Sequence, residues 1–144
     1  MTLYTEDRVN ACRVLTDVFP ANDVELLADL VADDFLNHEA PPGTPRGLGA
    51  VTVFMNMLSA AFSDQRWEIQ DVIAEADKVV IRCTHHGVHT GTWFGLPATG
   101  RPFAYQQMHI IRMENGKGAE HWAVRDDAGL MRQLSGSSPA APAG

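Results

Sequence analysis

The sequence predicts one α+β domain, with helices first, antiparallel strands after them and a pocket between the two layers. Three observations predict it. Apolar stripes at helical spacing fill the chain up to Phe62. After Asp64 the apolar period drops to two. Asn115–Gly116, set between two strand-like runs, is a strong hairpin signal.

Taken in order, Thr5 can cap a helix running to about Phe19, with Val9, Cys12, Leu15, Val18 and Phe19 on one stripe, and Pro20 breaks it. Asn22 followed by Glu25 resembles a capping box for a second helix that turns Val24, Leu27, Ala28 and Val31 inward. Asp33–Gly47 has the Pro and Gly density of a loop. Leu48–Phe62 is the third helix, with Val51, Phe54, Met55, Leu58 and Phe62 as its stripe. Strands follow over Arg66–Ala74, Val79–His89, Phe103–Met113 and Lys117–Asp126, with a Gly-rich loop over Thr90–Pro102. A short helix closes the domain by Leu134. The domain is expected over residues 4–134, and 135–144 is a low-complexity tail expected to be disordered.

Composition limits the function. The chain is 45% hydrophobic, enough for a core without disulfides or metals. A formal charge of −7 argues against nucleic acid and against an anionic membrane surface. Cys12 and Cys83 match no metal or disulfide pattern and read as buried thiols in a reducing compartment. The N-terminus has no secretory signal, so a cytoplasmic location is expected. The chain contains no phosphate loop, no nucleophile elbow and no CxxC, so neither a nucleotide cofactor nor a serine nucleophile is expected.

The chemistry concentrates between Met108 and Leu134. A two-residue turn at Asn115–Gly116 sets His109 opposite Trp122 and Tyr105 opposite Asp126, on one face. A four-residue turn keeps the parity and makes Asp126 the diagonal neighbour of His109. Either register turns Asp126 into the cavity, where apolar walls raise a carboxyl pKa and make it a stronger base. His109 can then donate to a carbonyl oxygen that gains charge as an enolate forms. The alternative is that Asp126 only caps the last helix and His109 is a satisfied core histidine; Asp127, adjacent to Ala128–Leu134, is the expected cap. His121 has the opposite parity and is expected outside the cavity. His85 and His89 share a strand face but lie roughly 13 Å apart, too far to chelate one ion, so no metal is expected. Asn37 and His38 form either a pocket mouth or a plain turn. Trp93 and Phe94 form either a lid or the edge of the core.

Three segments, DDFLNHEAPPG, HTGTWFGLPATGRPF and HIIRMENGKGAEHWAVRDDAGLMRQL, resemble the SnoaL-like polyketide cyclases, also called ester cyclases, of the NTF2-like, ketosteroid-isomerase-like superfamily. The similarity covers roughly Val9 to Leu134. It implies a cone of three N-terminal helices packed in a strongly curved, mixed, mainly antiparallel sheet. It also implies cofactor-free intramolecular aldol ring closure of a polyketide-like or other polycarbonyl substrate. Asp126 falls on the family's acid/base aspartate and His109 on its pocket histidine. Asn37, His38, Phe54, Trp93, Tyr105 and Trp122 are the expected substrate-binding residues. The same cone hosts isomerases, dehydratases, epoxide hydrolases and non-catalytic binding modules. The expected partners are a hydrophobic small molecule and further copies of the chain, as a homodimer or homotetramer.

Overall fold

A computed structural model describes residues 3–136; the expected tail falls almost entirely outside them. Helix α1, Leu3–Arg13, continues through a π-helical turn, Val14–Val18, into a short α-helical piece, Phe19–Ala21. Pro20 therefore does not break the helix. It sits in that last piece, directly after the π-helical turn whose final bond runs from the Phe19 N–H to the Val14 carbonyl, and the run ends one residue later at Ala21. Asn22, at φ 51°, ends the run in the left-handed region. Helix α2, Val24–Leu30, is capped by Asp23, whose carboxylate accepts from the Leu26 N–H at 3.0 Å. Asn22 is thus not the cap.

Strand β1, Val31–Asn37, follows at once and overlaps the expected loop. Helix α3, Leu48–Ala61, runs into strand β2, Phe62–Glu75. Strands β3, Lys78–His89, β4, Pro102–Glu114, and β5, Lys117–Arg125, complete the sheet, and helix α4, Asp127–Ser135, closes the domain. The helices are thus three N-terminal runs plus a fourth after the last strand. The five strands form one open mixed sheet in the order β1-β5-β4-β3-β2; β1 runs parallel to β5, and every other pair is antiparallel. No helix among the described residues is long and apolar enough to cross a membrane.

Strict alternation governs the inner face. Along β3, Val79, Ile81, Cys83, His85, Gly87 and His89 are buried and their neighbours are not. On β2 the apolar markers Trp67, Ile69 and Val72 skip a step because the register shifts between Ile69 and Asp71. The core lies between this face and the helices, with Leu15, Leu58, Phe62, Trp67, Ile81 and Phe103 in one cluster and Val18, Leu27, Phe35 and Met55 in the next.

Candidate active site

The β4–β5 hairpin decides which side chains see the cavity. Its turn is the tight one: Asn115 and Gly116 both have positive φ, and Glu114 pairs with Lys117. Met113 then pairs with Gly118, but Arg112 pairs with Glu120, leaving Ala119 as one extra residue. That bulge shifts the rest of β5 by one position. His109 therefore pairs with Ala123, not Trp122, and Gln107 pairs with Arg125.

The shift reverses the expected faces. His121 turns inward, 9% exposed, and lines the cavity with His109, 3% exposed. Trp122 turns outward and stacks on His38 at 4.9 Å with the rings 7° apart. His38 also meets Glu120 Oε2 at 2.6 Å, so both residues belong to the outer surface. Asp126 does not line the cavity. It is exposed, and its carboxylate accepts from the Gly129 N–H at 2.9 Å as the N-cap of α4. A Cβ at Gly129 would collide with that carboxylate, so the D-x-x-G spacing of the chain is that of a cap folded onto a glycine. Asp126, not Asp127, is the cap. Trp93 packs on Phe62 at 4.9 Å and forms an edge of the core rather than the cavity wall. Of the residues expected from the sequence, Asn37, Phe54, Tyr105 and His109 do line the cavity.

Its walls are mostly apolar, with Leu15, Phe19, Leu27, Phe35, Phe54 and Leu58 on the helical and β1 side. Its polar groups form one continuous chain across the sheet. Asn37 Oδ1 lies 2.8 Å from His121 Nδ1, His121 Nε2 lies 2.8 Å from His109 Nδ1, and His109 Nε2 lies 2.8 Å from Gln107 Oε1. Gln107 Nε2 donates to the Tyr105 hydroxyl at 3.1 Å, the hydroxyl meets His85 Nδ1 at 3.0 Å, and His85 Nε2 meets Gln65 Oε1 at 3.0 Å.

Protons can be counted along the Asn37–Gln107 part of this chain, because fixed donors orient both of those amides. The Trp67 indole N–H donates to Gln107 Oε1 at 3.2 Å, and the Glu39 backbone N–H donates to Asn37 Oδ1 at 3.1 Å. On the His85 side every contact is satisfied with a neutral ring: His85 Nε2–H donates to Gln65, and the Tyr105 hydroxyl donates to His85 Nδ1. The His109–His121 side differs. Its three contacts need three protons, since both ends are acceptors. Two neutral imidazoles bring two. The pair is one proton short.

Electrostatics keeps it so. Burial, followed by the positive field of Arg125, lowers the His121 pKa to about 3. Burial also holds His109 well below the ordinary imidazole range, with His121 and Arg125 adding to it. His85, stacked on Trp67 at 3.9 Å, is lowered to about 3, again by burial first and Arg125 second. At neutral pH the pair is neutral, and the same burial and positive field make it a weaker base than a free imidazole, offset only by the two acceptors that flank it.

The remaining histidines offer no metal centre. His89 is fully buried against Phe62 and accepts from the Thr99 N–H at 3.3 Å. Among the described residues no cluster of three or more His, Cys, Asp or Glu side chains is arranged to hold a metal ion.

Known proteins match this chain over nearly its whole length. The family model for SnoaL-like polyketide cyclases matches residues 9–134. The aklanonic acid methyl ester cyclase DauD of Streptomyces sp. strain C5 is 28% identical over 131 residues, covering 88% of this chain and 81% of its own. The nogalonic acid methyl ester cyclase of Streptomyces nogalater is 26% identical over 127 residues, covering 87% and 95%. Among solved structures, TsrD of Streptomyces laurentii superposes with a TM-score of 0.84 at 25% identity, over 93% of this chain and 98% of that one. IdmH of Streptomyces antibioticus does so with a TM-score of 0.78 at 30% identity, over 90% and 98%.

Proposed function

We propose that this chain, which belongs to the SnoaL-like polyketide cyclase family, closes a ring in a polycarbonyl substrate by an intramolecular aldol reaction, with the His109–His121 pair as its acid/base. The observation that carries this reading is the 2.8 Å contact between His109 and His121, each ring also 2.8 Å from an amide oxygen, inside a cavity whose described lining holds no Asp or Glu.

His121, the more exposed ring, meets the substrate beside Asn37, and His109 shares the charge. The pair removes a proton from a methylene activated by flanking carbonyls. The transferred proton completes the three contacts between Asn37 and Gln107, so the cation is held by acceptors already in place. The carbanion attacks a carbonyl of the same molecule, and the pair returns the proton to the new alkoxide. The apolar wall from Leu15 to Leu58 folds the substrate and excludes water. Asp126 supplies the helix cap and no proton.

The relatives' names give the first substrates to try: aklanonic acid and nogalonic acid, each as free acid and methyl ester. Ring closure yields a product of unchanged mass with a new chromatographic position. His121→Asn removes that product and Asp126→Asn retains it. A product that gains the mass of water points instead to a hydratase in the same cavity.

A further inference from the structure

Arg125 brings the only full charge to the described cavity wall. It sits on β5 as the Cα partner of Gln107, on the face that also presents His121. The two other half-buried arginines of the strands are each neutralised: Arg82 meets Asp71 at 2.6 Å, and Arg112 meets Glu120 at 2.9 Å and Glu114 at 3.2 Å. The Arg125 side chain has no ion-pair or hydrogen-bond partner among the described residues, and no described lining residue is acidic. This happens in a chain of net charge −7, so the lone inward cation does not come from a generally basic surface.

We propose that Arg125 selects a substrate bearing a carboxylate and holds that group inside the cavity, with the polycarbonyl remainder against the apolar wall. The inference deepens the cyclase reading and rests on it for the identity of the pocket. The physical reason is asymmetry. A guanidinium offers a planar fork that a carboxylate fills with two charge-assisted hydrogen bonds. A neutral ester over the same guanidinium leaves a desolvated charge without a counterion. A carboxylate at Arg125 also cancels part of the field that reaches His85, His109 and His121. The bound substrate thereby strengthens the base that acts on it.

The test uses anthraquinone-2-carboxylate and its methyl ester as probes, titrated calorimetrically into the wild-type protein, Arg125→Gln and Arg125→Lys, with thermal melts to check that each variant is folded. Wild type is expected to bind the acid about ten- to a hundredfold tighter than the ester. Arg125→Gln levels the two, and Arg125→Lys keeps part of the preference. Equal binding of acid and ester by wild type overturns the proposal, as does a preference that survives in Arg125→Gln. Failure of both probes to bind the folded wild type overturns it as well. A guanidinium serving only a developing enolate would give equal ground-state binding and falls under the first of these. No turnover is needed, so the outcome is separate from the fate of the acid/base reading.

Discussion

His109 Nδ1 and His121 Nε2 stand 2.8 Å apart in the cavity wall, with Gln107 Oε1 at the far side of one ring and Asn37 Oδ1 at the far side of the other. Two imidazoles between two acceptors act as a single titrating unit. His109→Asn and His121→Asn are each expected to lower kcat/KM by about 10²–10⁴. The double variant should be no worse than the weaker single one, because residues acting as a unit are not additive. Initial rates on the accepted substrate check this, and multiplicative losses would separate the two rings.

Acid should weaken the fold. His85 and His121 titrate near 3 in the folded chain, and His109 is also held well below its ordinary value. Their unfolded pKa is about 6.5. Between those limits the unfolded chain binds protons that the folded chain refuses, so stability is full above about pH 6.5 and falls as pH drops. Each such imidazole contributes a slope of about 1.4 kcal/mol per pH unit. Urea unfolding at pH 7 and pH 5 measures the drop, and His85→Gln should shrink it. Equal stability at the two values would contradict neutral burial.

Gln107→Glu is expected to load the missing proton. The new carboxylate accepts from the Trp67 indole and faces His109 Nε2, now 2.8 Å from an amide oxygen. It favours the imidazolium and removes the free base. Imidazole nitrogen shifts should report a charged pair at neutral pH, and activity should fall with it.

Tyr105→Phe removes the hydroxyl that takes the Gln107 N–H and serves His85 Nδ1. Two buried polar atoms then lack partners, at a cost of about 1–3 kcal/mol. Denaturant midpoints should show that loss, with a smaller effect on turnover than His121→Asn gives.

The helix stripes, the period-two strands and the Asn115–Gly116 turn were legible from side-chain pattern, because each is a local signal. His109 was legible by alternation from that turn. His121 was not, because Ala119 inserts one residue into β5 and a single extra residue turns every later side chain to the other face. Nothing in Gly118–Ala119 announces a bulge. Trp122 and Asp126 were misplaced by the same step. Strand β1 was masked by Asp33 and Asp34, poor strand formers, and by the Pro-rich stretch that follows. Arg125 became visible only once the sheet had been assembled, since its significance lies in the carboxylate it does not face.

The comparison that tests the central claim most directly is turnover by Asp126→Asn against His121→Asn. Asparagine still caps a helix, so Asp126→Asn removes the carboxylate charge while leaving α4 anchored. The structure predicts wild-type kcat/KM for Asp126→Asn and a loss of about 10²–10⁴ for His121→Asn. Loss of turnover in Asp126→Asn with full activity in His121→Asn would return the acid/base role to the carboxylate and contradict the histidine pair.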